Sequence, residues 1–116
     1  MLNLPMSILI GGLPDALRVG IIASGTLSGD IGTARAFPGG DFGPADEAWA
    51  QQVVDRLKQG DIDTLLNEAT GERLWAAGNA SGEMLNWIAL LGAIGDRTPT
   101  LVEQTRGNAW AAWRWD

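Results

Sequence analysis

The order of hydrophobic patterns along the chain is the feature that most constrains its fold. Residues 19–23 (VGIIA) form a short apolar run rich in β-branched residues, which predicts a buried strand. Helical patterns follow, the clearest at residues 44–60 and 82–94, and residues 100–106 and 108–115 then resemble two further strands. Strands on both sides of a helical region predict an α/β domain, with a partial mixed sheet and helices packed on it.

The helical region divides into several elements. The first helix, predicted at residues 44–60, starts with proline and acidic residues and ends at a glycine, as many helices do. Asp61 is positioned to cap a short second helix over residues 62–69, and residues 72–77 predict one further helical turn. The last helix, residues 82–94, is apolar around well over one face and is therefore expected to be deeply buried.

The chain has the length and composition of one domain. Its 116 residues are 46% hydrophobic, so a folded core is expected, and the 16 glycines predict many tight turns or close backbone approaches. Residues 24–43 form a glycine-rich connection of about 20 residues, a length at which loops are usually functional or mobile. Residues 1–10 are apolar but too short to span a bilayer and carry no basic residue. They predict a strand or a docking segment, in a cytoplasmic protein.

The absence of histidine and cysteine removes most catalytic chemistry. This chain alone has no imidazole base, no thiolate nucleophile, and no imidazole or thiolate to bind a metal ion. The net charge of −6 argues against nucleic acid or an anionic membrane as a partner. Activity must therefore rest on carboxylates, on binding, or on a site that another polypeptide completes.

Three weaker patterns suggest functions that their chemistry does not support. The glycines of residues 25–32 lack the spacing and the lysine of a phosphate-binding loop. Asp61 and Asp63 are not followed by a calcium-binding loop and fit a helix start better. A glycosidase pair could be drawn from Asp41, Asp46 and Glu47 only if two of them were fixed across a cleft, and a solvated helix start is the simpler interpretation.

Residues 79–93 (NASGEMLNWIALLGA) contain the pattern that bears most directly on function. Glu83 lies in the first turn of the last predicted helix, behind a loop of small residues, and Trp87 follows one turn later on the same face. By spacing alone, Glu83 is a helix-start carboxylate that complements the helix dipole. The stretch nevertheless resembles the class III extradiol ring-cleavage dioxygenases, in particular the catalytic (beta) subunit of the protocatechuate 4,5-dioxygenase group.

Three other segments resemble the same family in the same order. Residues 18–28 (RVGIIASGTLS) look like its strand and its Ser-Gly-Gly-Leu-Ser loop, residues 45–60 look like the helix that follows, and residues 106–115 resemble its closing strands. The resemblance spans residues 13–115 and corresponds to the C-terminal part of a family catalytic subunit. It implies that residues 1–116 form a single domain with the fold of that C-terminal part.

The resemblance implies a site built around Fe(II) and a catecholic small molecule. Glu83 matches the family's carboxylate ligand to the catalytic iron, and the family inserts O₂ beside catechol hydroxyls in aromatic compound catabolism. Gly29 occupies the place of the family's acid/base histidine, and the family's two iron-binding histidines have no counterpart here. Because non-haem Fe(II) takes two imidazoles beside one carboxylate, the chain by itself is not expected to cleave a ring.

Two hypotheses of different classes follow. One is a truncated or split member of the dioxygenase family, whose site is completed by a histidine-bearing domain or subunit; the resemblance also allows an oligomer. The other is a non-catalytic interaction or regulatory subunit that keeps the fold, and a decayed gene fragment is a third reading. Trp110, Trp113 and Trp115 are expected in core or edge packing, or in an exposed apolar patch where a partner docks.

Overall fold

The protein is an α/β domain with four helices, which confirms the predicted class. The computed structural model describes residues 11–32, 42–43, 46–95 and 97–114. In chain order the elements are β1 (Asp30–Ile31), β2 (Phe42–Gly43), α1 (Glu47–Gln59), α2 (Ile62–Glu68), α3 (Gly71–Ala76), a 3-10 helix (Ser81–Glu83), α4 (Met84–Ile94), β3 (Leu101–Thr105) and β4 (Asn108–Ala112). The predictions for residues 1–10, Asp41, Pro44 and Trp115 lie outside the described residues.

The described strands form two separate antiparallel pairs. β1 pairs with β2 over two residues, and β3 pairs with β4 over five, with Leu101 opposite Ala112 and Thr105 opposite Asn108. Arg106 and Gly107 form the turn between β3 and β4, and Gly107 adopts a φ of 69°. A positive φ of this kind is accessible to glycine at little cost, so the backbone can reverse direction within two residues.

Local sequence signals set the ends of the helices. The Asp46 side chain accepts a hydrogen bond from the Trp49 amide and caps α1, which therefore begins three residues after the predicted proline start. Gly60 ends α1 in the left-handed conformation, with a φ of 68°. Asp61 caps α2 as predicted, since its side chain accepts from the Thr64 amide. Polar and glycine positions thus divide one helical region into distinct helices.

The core is one apolar cluster to which each of the four α-helices contributes. Its members are at most 7% exposed: Leu27, Trp49, Ala50, Val53, Val54, Leu57, Ile62, Leu65, Leu74, Ala77, Met84, Trp87, Leu91 and Ala109. The 13-residue helix α1 supplies the largest share, because its buried residues recur at helical intervals on one face. α1 also packs against α2 and against the β3–β4 hairpin.

The helix α4 is less buried than its sequence predicts. Met84, Trp87 and Leu91 face the core, whereas Leu85 is 59% exposed and Ala89 is also exposed. The expectation of deep burial is therefore wrong for one face of α4. An apolar helix is buried only where another element covers it, and none of the described elements covers that face.

The predicted strand at residues 19–23 does not form. The segment has no regular secondary structure, its backbone makes no hydrogen bond within the described residues, and the Ile22 side chain is 95% exposed. A groove of about 540 Å³ separates residues 17–21 from residues 111–114. A strand needs a neighbouring strand for its backbone hydrogen bonds, so the apolar pattern alone did not suffice.

None of the described helices combines the length and the apolar character that crossing a membrane requires.

Candidate functional site

Glu83 lies at the junction between the 3-10 helix and α4. It is the last residue of Ser81–Glu83 and immediately precedes Met84, the first residue of α4. Its Oε2 atom accepts a hydrogen bond from the Thr26 backbone amide at 3.0 Å, across 57 positions of the sequence. The helix start predicted for this carboxylate is confirmed. Residues 24–32, the described part of the glycine-rich connection and below called the glycine-rich segment, fix the direction of its side chain.

The glycine-rich segment is held against the connection between α3 and α4 by backbone contacts. The Gly29 amide donates to Ser81 Oγ at 3.1 Å, and the Gly29 carbonyl accepts from the Ala80 amide at 2.9 Å. At the start of the segment, the Trp87 indole N–H donates to the Gly25 carbonyl at 2.8 Å. Residues separated by more than 50 positions are therefore fixed side by side near Glu83.

Buried polar side chains add to this attachment. Ser28 Oγ is 2.9 Å from the Ala77 carbonyl, to which it donates, and it accepts from the Asp46 amide at 2.7 Å. Asp30 is 1% exposed, and its Oδ1 atom accepts a hydrogen bond from the backbone amide of Asn79 at 2.7 Å. Because buried polar groups are costly unless hydrogen-bonded, these pairs fix the position of the segment.

Two glycines allow backbone segments of this chain to approach each other more closely than other residues would. A Cβ atom on Gly25 would overlap the backbone carbonyl of Glu83, and one on Gly78 would overlap the backbone of Gly29. Gly78 also has a φ of 136°, which side-chain-bearing residues rarely adopt. The glycine-rich composition noted in the sequence is thus used for close backbone packing at this site.

Gly29 is buried and has no side chain that can hold a proton. Its amide and carbonyl are both used in the contacts with Ser81 and Ala80. Whatever the site does, residue 29 contributes backbone hydrogen bonds and not acid/base catalysis.

Glu83 faces a cleft of about 410 Å³ between the glycine-rich segment, α4 and β4. The side chains that line it include Ile22, Thr26, Glu83, Trp87, Leu90, Asn108 and Trp110. Glu83 is the one charged residue among the described residues that line the cleft, and Trp110 is 70% exposed at its edge. The volume falls in the range of small-molecule sites, roughly 300–1,000 Å³.

The described residues do not by themselves fit an Fe(II) ion. In the part of the chain that the structure describes, no three side chains of the histidine, cysteine, aspartate or glutamate type lie close enough to hold a metal together. The sequence has no imidazole, and one Oε atom of Glu83 is already bonded to the Thr26 amide. A metal site that included Glu83 would therefore require its other ligands from elsewhere.

The other carboxylates considered from the sequence have structural partners. Asp46 forms an ion pair with Arg73 at 2.6 Å, and the Arg73 guanidinium lies 4.7 Å from the centre of the Trp49 ring. Glu47 pairs with Arg106 at 2.7 Å on the surface. The interpretation of these acids as a solvated helix start agrees with these contacts, and no glycosidase arrangement is present among them.

Sequence reasoning missed the residues that surround Glu83. Thr26 contributes its backbone amide, which every residue except proline possesses, so the identity of its side chain gave no signal. Asn108 and Trp110 reach the cleft from a hairpin more than 20 positions away. Of the tryptophans expected in packing or in an exposed patch, Trp110 is exposed and Trp113 is half-buried.

Comparison with known protein families gives a match for this chain. The class that matches is that of the ring-opening dioxygenases. The model of the family described as "Catalytic LigB subunit of aromatic ring-opening dioxygenase" matches residues 9–111, and the chain belongs to that family. Searches among curated proteins and among solved structures find no match.

Proposed function

We propose that this chain supplies the carboxylate and one wall of a class III extradiol dioxygenase site of the protocatechuate 4,5-dioxygenase group. Glu83 would be one ligand of an Fe(II) ion, and imidazoles from a histidine-bearing domain or subunit outside these 116 residues would be the others. The proposed substrate is a catecholic small molecule, and the proposed reaction is ring cleavage with O₂. The chain alone is proposed to be inactive.

The hydrogen bond from the Thr26 amide to Glu83 Oε2 is the observation that carries this proposal. It orients the carboxylate at the cleft and leaves Oε1 without a hydrogen-bond partner among the described residues. A metal ligand needs a fixed direction and a free lone pair, and neither requirement applies to a carboxylate that only complements a helix dipole. Family membership over residues 9–111 supports the same assignment.

A second candidate function is a non-catalytic interaction or regulatory subunit that retains the fold. Gly29 favours it, because the position that resembles the family's acid/base histidine has no side chain here. The uncovered apolar face of α4 favours it as well, since exposed apolar surface of this kind often marks a protein interface. This candidate predicts a folded chain that gains no thermal stability from Fe(II) or from a catechol.

Reconstitution with a histidine-bearing polypeptide tests the first candidate. The DNA upstream of the Met1 codon and the adjacent genes are searched for a domain with two histidines, which is then co-expressed with this chain. We expect the complex to bind Fe(II) and to consume O₂ with protocatechuate, and Glu83→Ala to abolish both. Glu72→Gln, an exposed acid outside the cleft, serves as the matched control and should change neither.

Two outcomes decide between the candidates. If Glu83→Ala leaves both the iron content and the ring cleavage of the complex unchanged, Glu83 is not the ligand and the first candidate is wrong. If the isolated chain shows Fe(II)-dependent thermal stabilisation, the interaction-subunit candidate is wrong. Differential scanning fluorimetry with and without Fe(II) under anaerobic conditions provides the second measurement.

A further inference from the structure

The cleft beside Glu83 carries a charge distribution that bears on what it can bind. The described residues around it contribute one negative charge, from Glu83, and no positive charge. Its remaining lining is apolar or neutral, with the indoles of Trp87 and Trp110 and the side chains of Ile22 and Leu90. In the chain without a metal ion, a carboxylate-bearing ligand would therefore meet repulsion and find no cationic partner among the described residues, whereas a cation would be attracted.

From this lining we infer that the cleft of the metal-free chain binds an organic cation with an aromatic or apolar body, such as an aryl-alkyl ammonium ion. The ammonium pairs with Glu83, and the body of the ligand packs against Trp110. Electron-rich indole faces attract cations as well as apolar groups, so Trp110, which is 70% exposed, suits both parts of such a ligand. The volume of about 410 Å³ is sufficient for one small molecule.

The contacts of Glu83 make the carboxylate available for this role. Oε2 accepts the Thr26 amide, which fixes the carboxylate without neutralising its charge, and no arginine or lysine forms an ion pair with it among the described residues. By contrast, Asp46, Glu47 and Glu68 are each paired with an arginine. An oriented but unpaired carboxylate at an aromatic-lined cleft is a binding site for a cation.

This inference does not depend on the proposed dioxygenase function. It concerns the isolated chain without metal, whereas the proposed function concerns a complex with histidines and Fe(II). Binding of an ammonium ligand can therefore fail while reconstituted ring cleavage succeeds, and the reverse also holds.

A set of three ligands of similar size but different charge tests the inference. The dissociation constants of 2-phenylethylammonium, 3-phenylpropanoate and neutral 3-phenyl-1-propanol are measured by isothermal titration calorimetry on the chain in EDTA. We expect the ammonium ligand to bind at least tenfold more tightly than the carboxylate. Glu83→Gln, whose amide oxygen can still accept from Thr26, should reduce the affinity for the ammonium ligand to that for the alcohol.

Two further variants separate the contributions of charge and of aromatic packing. Trp110→Ala should weaken binding of both the ammonium ligand and the alcohol, because both pack against the indole. Glu72→Gln, which removes an acid outside the cleft, should leave all three constants unchanged. Circular dichroism melts establish that each variant folds, and chemical-shift changes at the indole N–H groups locate the ligand.

Three results would overturn the inference. They are equal affinity for the carboxylate and the ammonium ligand, full retention of the ammonium preference in Glu83→Gln, and no saturable binding of any of the three ligands.

Discussion

The backbone amide of Thr26 donates a hydrogen bond to Oε2 of Glu83 at 3.0 Å, although 57 positions separate the two residues. This contact joins the glycine-rich segment to the start of α4. It also orients the one charged side chain that the described residues place in the cleft, so the same bond supports both the fold and the site.

Removal of the Glu83 carboxylate is expected to destabilise the fold modestly. Glu83→Ala leaves the Thr26 amide without its acceptor, and loss of a hydrogen bond to a charged group costs about 1–3 kcal/mol. Glu83→Gln keeps an acceptor oxygen and should cost less. Urea denaturation of the wild type and both variants measures the free energies of unfolding; equal values for Glu83→Ala and the wild type would contradict the structural role of this bond.

Gly25 is expected to tolerate no side chain. Gly25→Ala places a methyl group against the Glu83 backbone carbonyl, and overpacking of this kind typically costs about 1–3 kcal/mol. Gly20→Ala is the matched control, because no atom lies within 4 Å of its added Cβ and its φ is not in the left-handed region. Thermal melts should show a lower Tm for Gly25→Ala only. A similar loss in both variants would indicate a general effect of glycine replacement.

Asp46 has two separable roles, and two variants distinguish them. Asp46→Asn can still cap α1 through its amide oxygen but loses the ion pair with Arg73, whereas Asp46→Ala loses both. Loss of an N-cap costs about 0.5–2 kcal/mol, so the alanine variant should be the less stable by roughly that amount. Guanidinium denaturation measures the difference, and indistinguishable variants would show that the cap contributes little.

The Arg56–Glu68 pair predicts a pH dependence of stability. Hydrogen bonds to Glu68 from Arg56 Nη2, at 2.8 Å, and from Gln52 Nε2, at 2.7 Å, hold the pKa of Glu68 below its usual range. Because this pKa is lower in the folded than in the unfolded chain, the stabilisation is full above the ordinary glutamate pKa. It is lost as the pH falls through the folded-state value.

Glu68→Gln tests this dependence. The variant should be less stable than the wild type at neutral pH, and the two free energies of unfolding should converge as the pH falls below the folded-state pKa of Glu68. Urea denaturation at a series of pH values gives both curves. Glu72→Gln controls for the change in net charge, and a difference between Glu68→Gln and the wild type that is constant with pH would exclude the linkage.

Elements defined by local signals were predictable from the sequence, and elements that need distant partners were not. The end of α1 at Gly60 and the cap of α2 at Asp61 depend on residues within a few positions, and both predictions are confirmed. Residues 19–23 have the pattern of a buried strand, but a strand exists only where another one pairs with it. The apolar pattern of α4 likewise did not reveal which face is covered.

The candidate site shows the same division. The position of Glu83 at a helix start could be predicted from its neighbours, whereas the cleft could not, because Trp110 and Asn108 reach it from a distant hairpin. The donor to Glu83 is a backbone amide, which leaves no trace in the sequence. The metal-binding role of Glu83 stays a prediction, and the absence of histidine limits what the chain does alone.

Residues 19–23 make no backbone hydrogen bond within the described part of the chain, and this bears on how the protein behaves at high concentration. Backbone groups without hydrogen-bond partners, beside an isoleucine that is 95% accessible, can pair with the backbone of another copy. We therefore expect self-association to increase with protein concentration, so five residues influence the solubility of the whole chain.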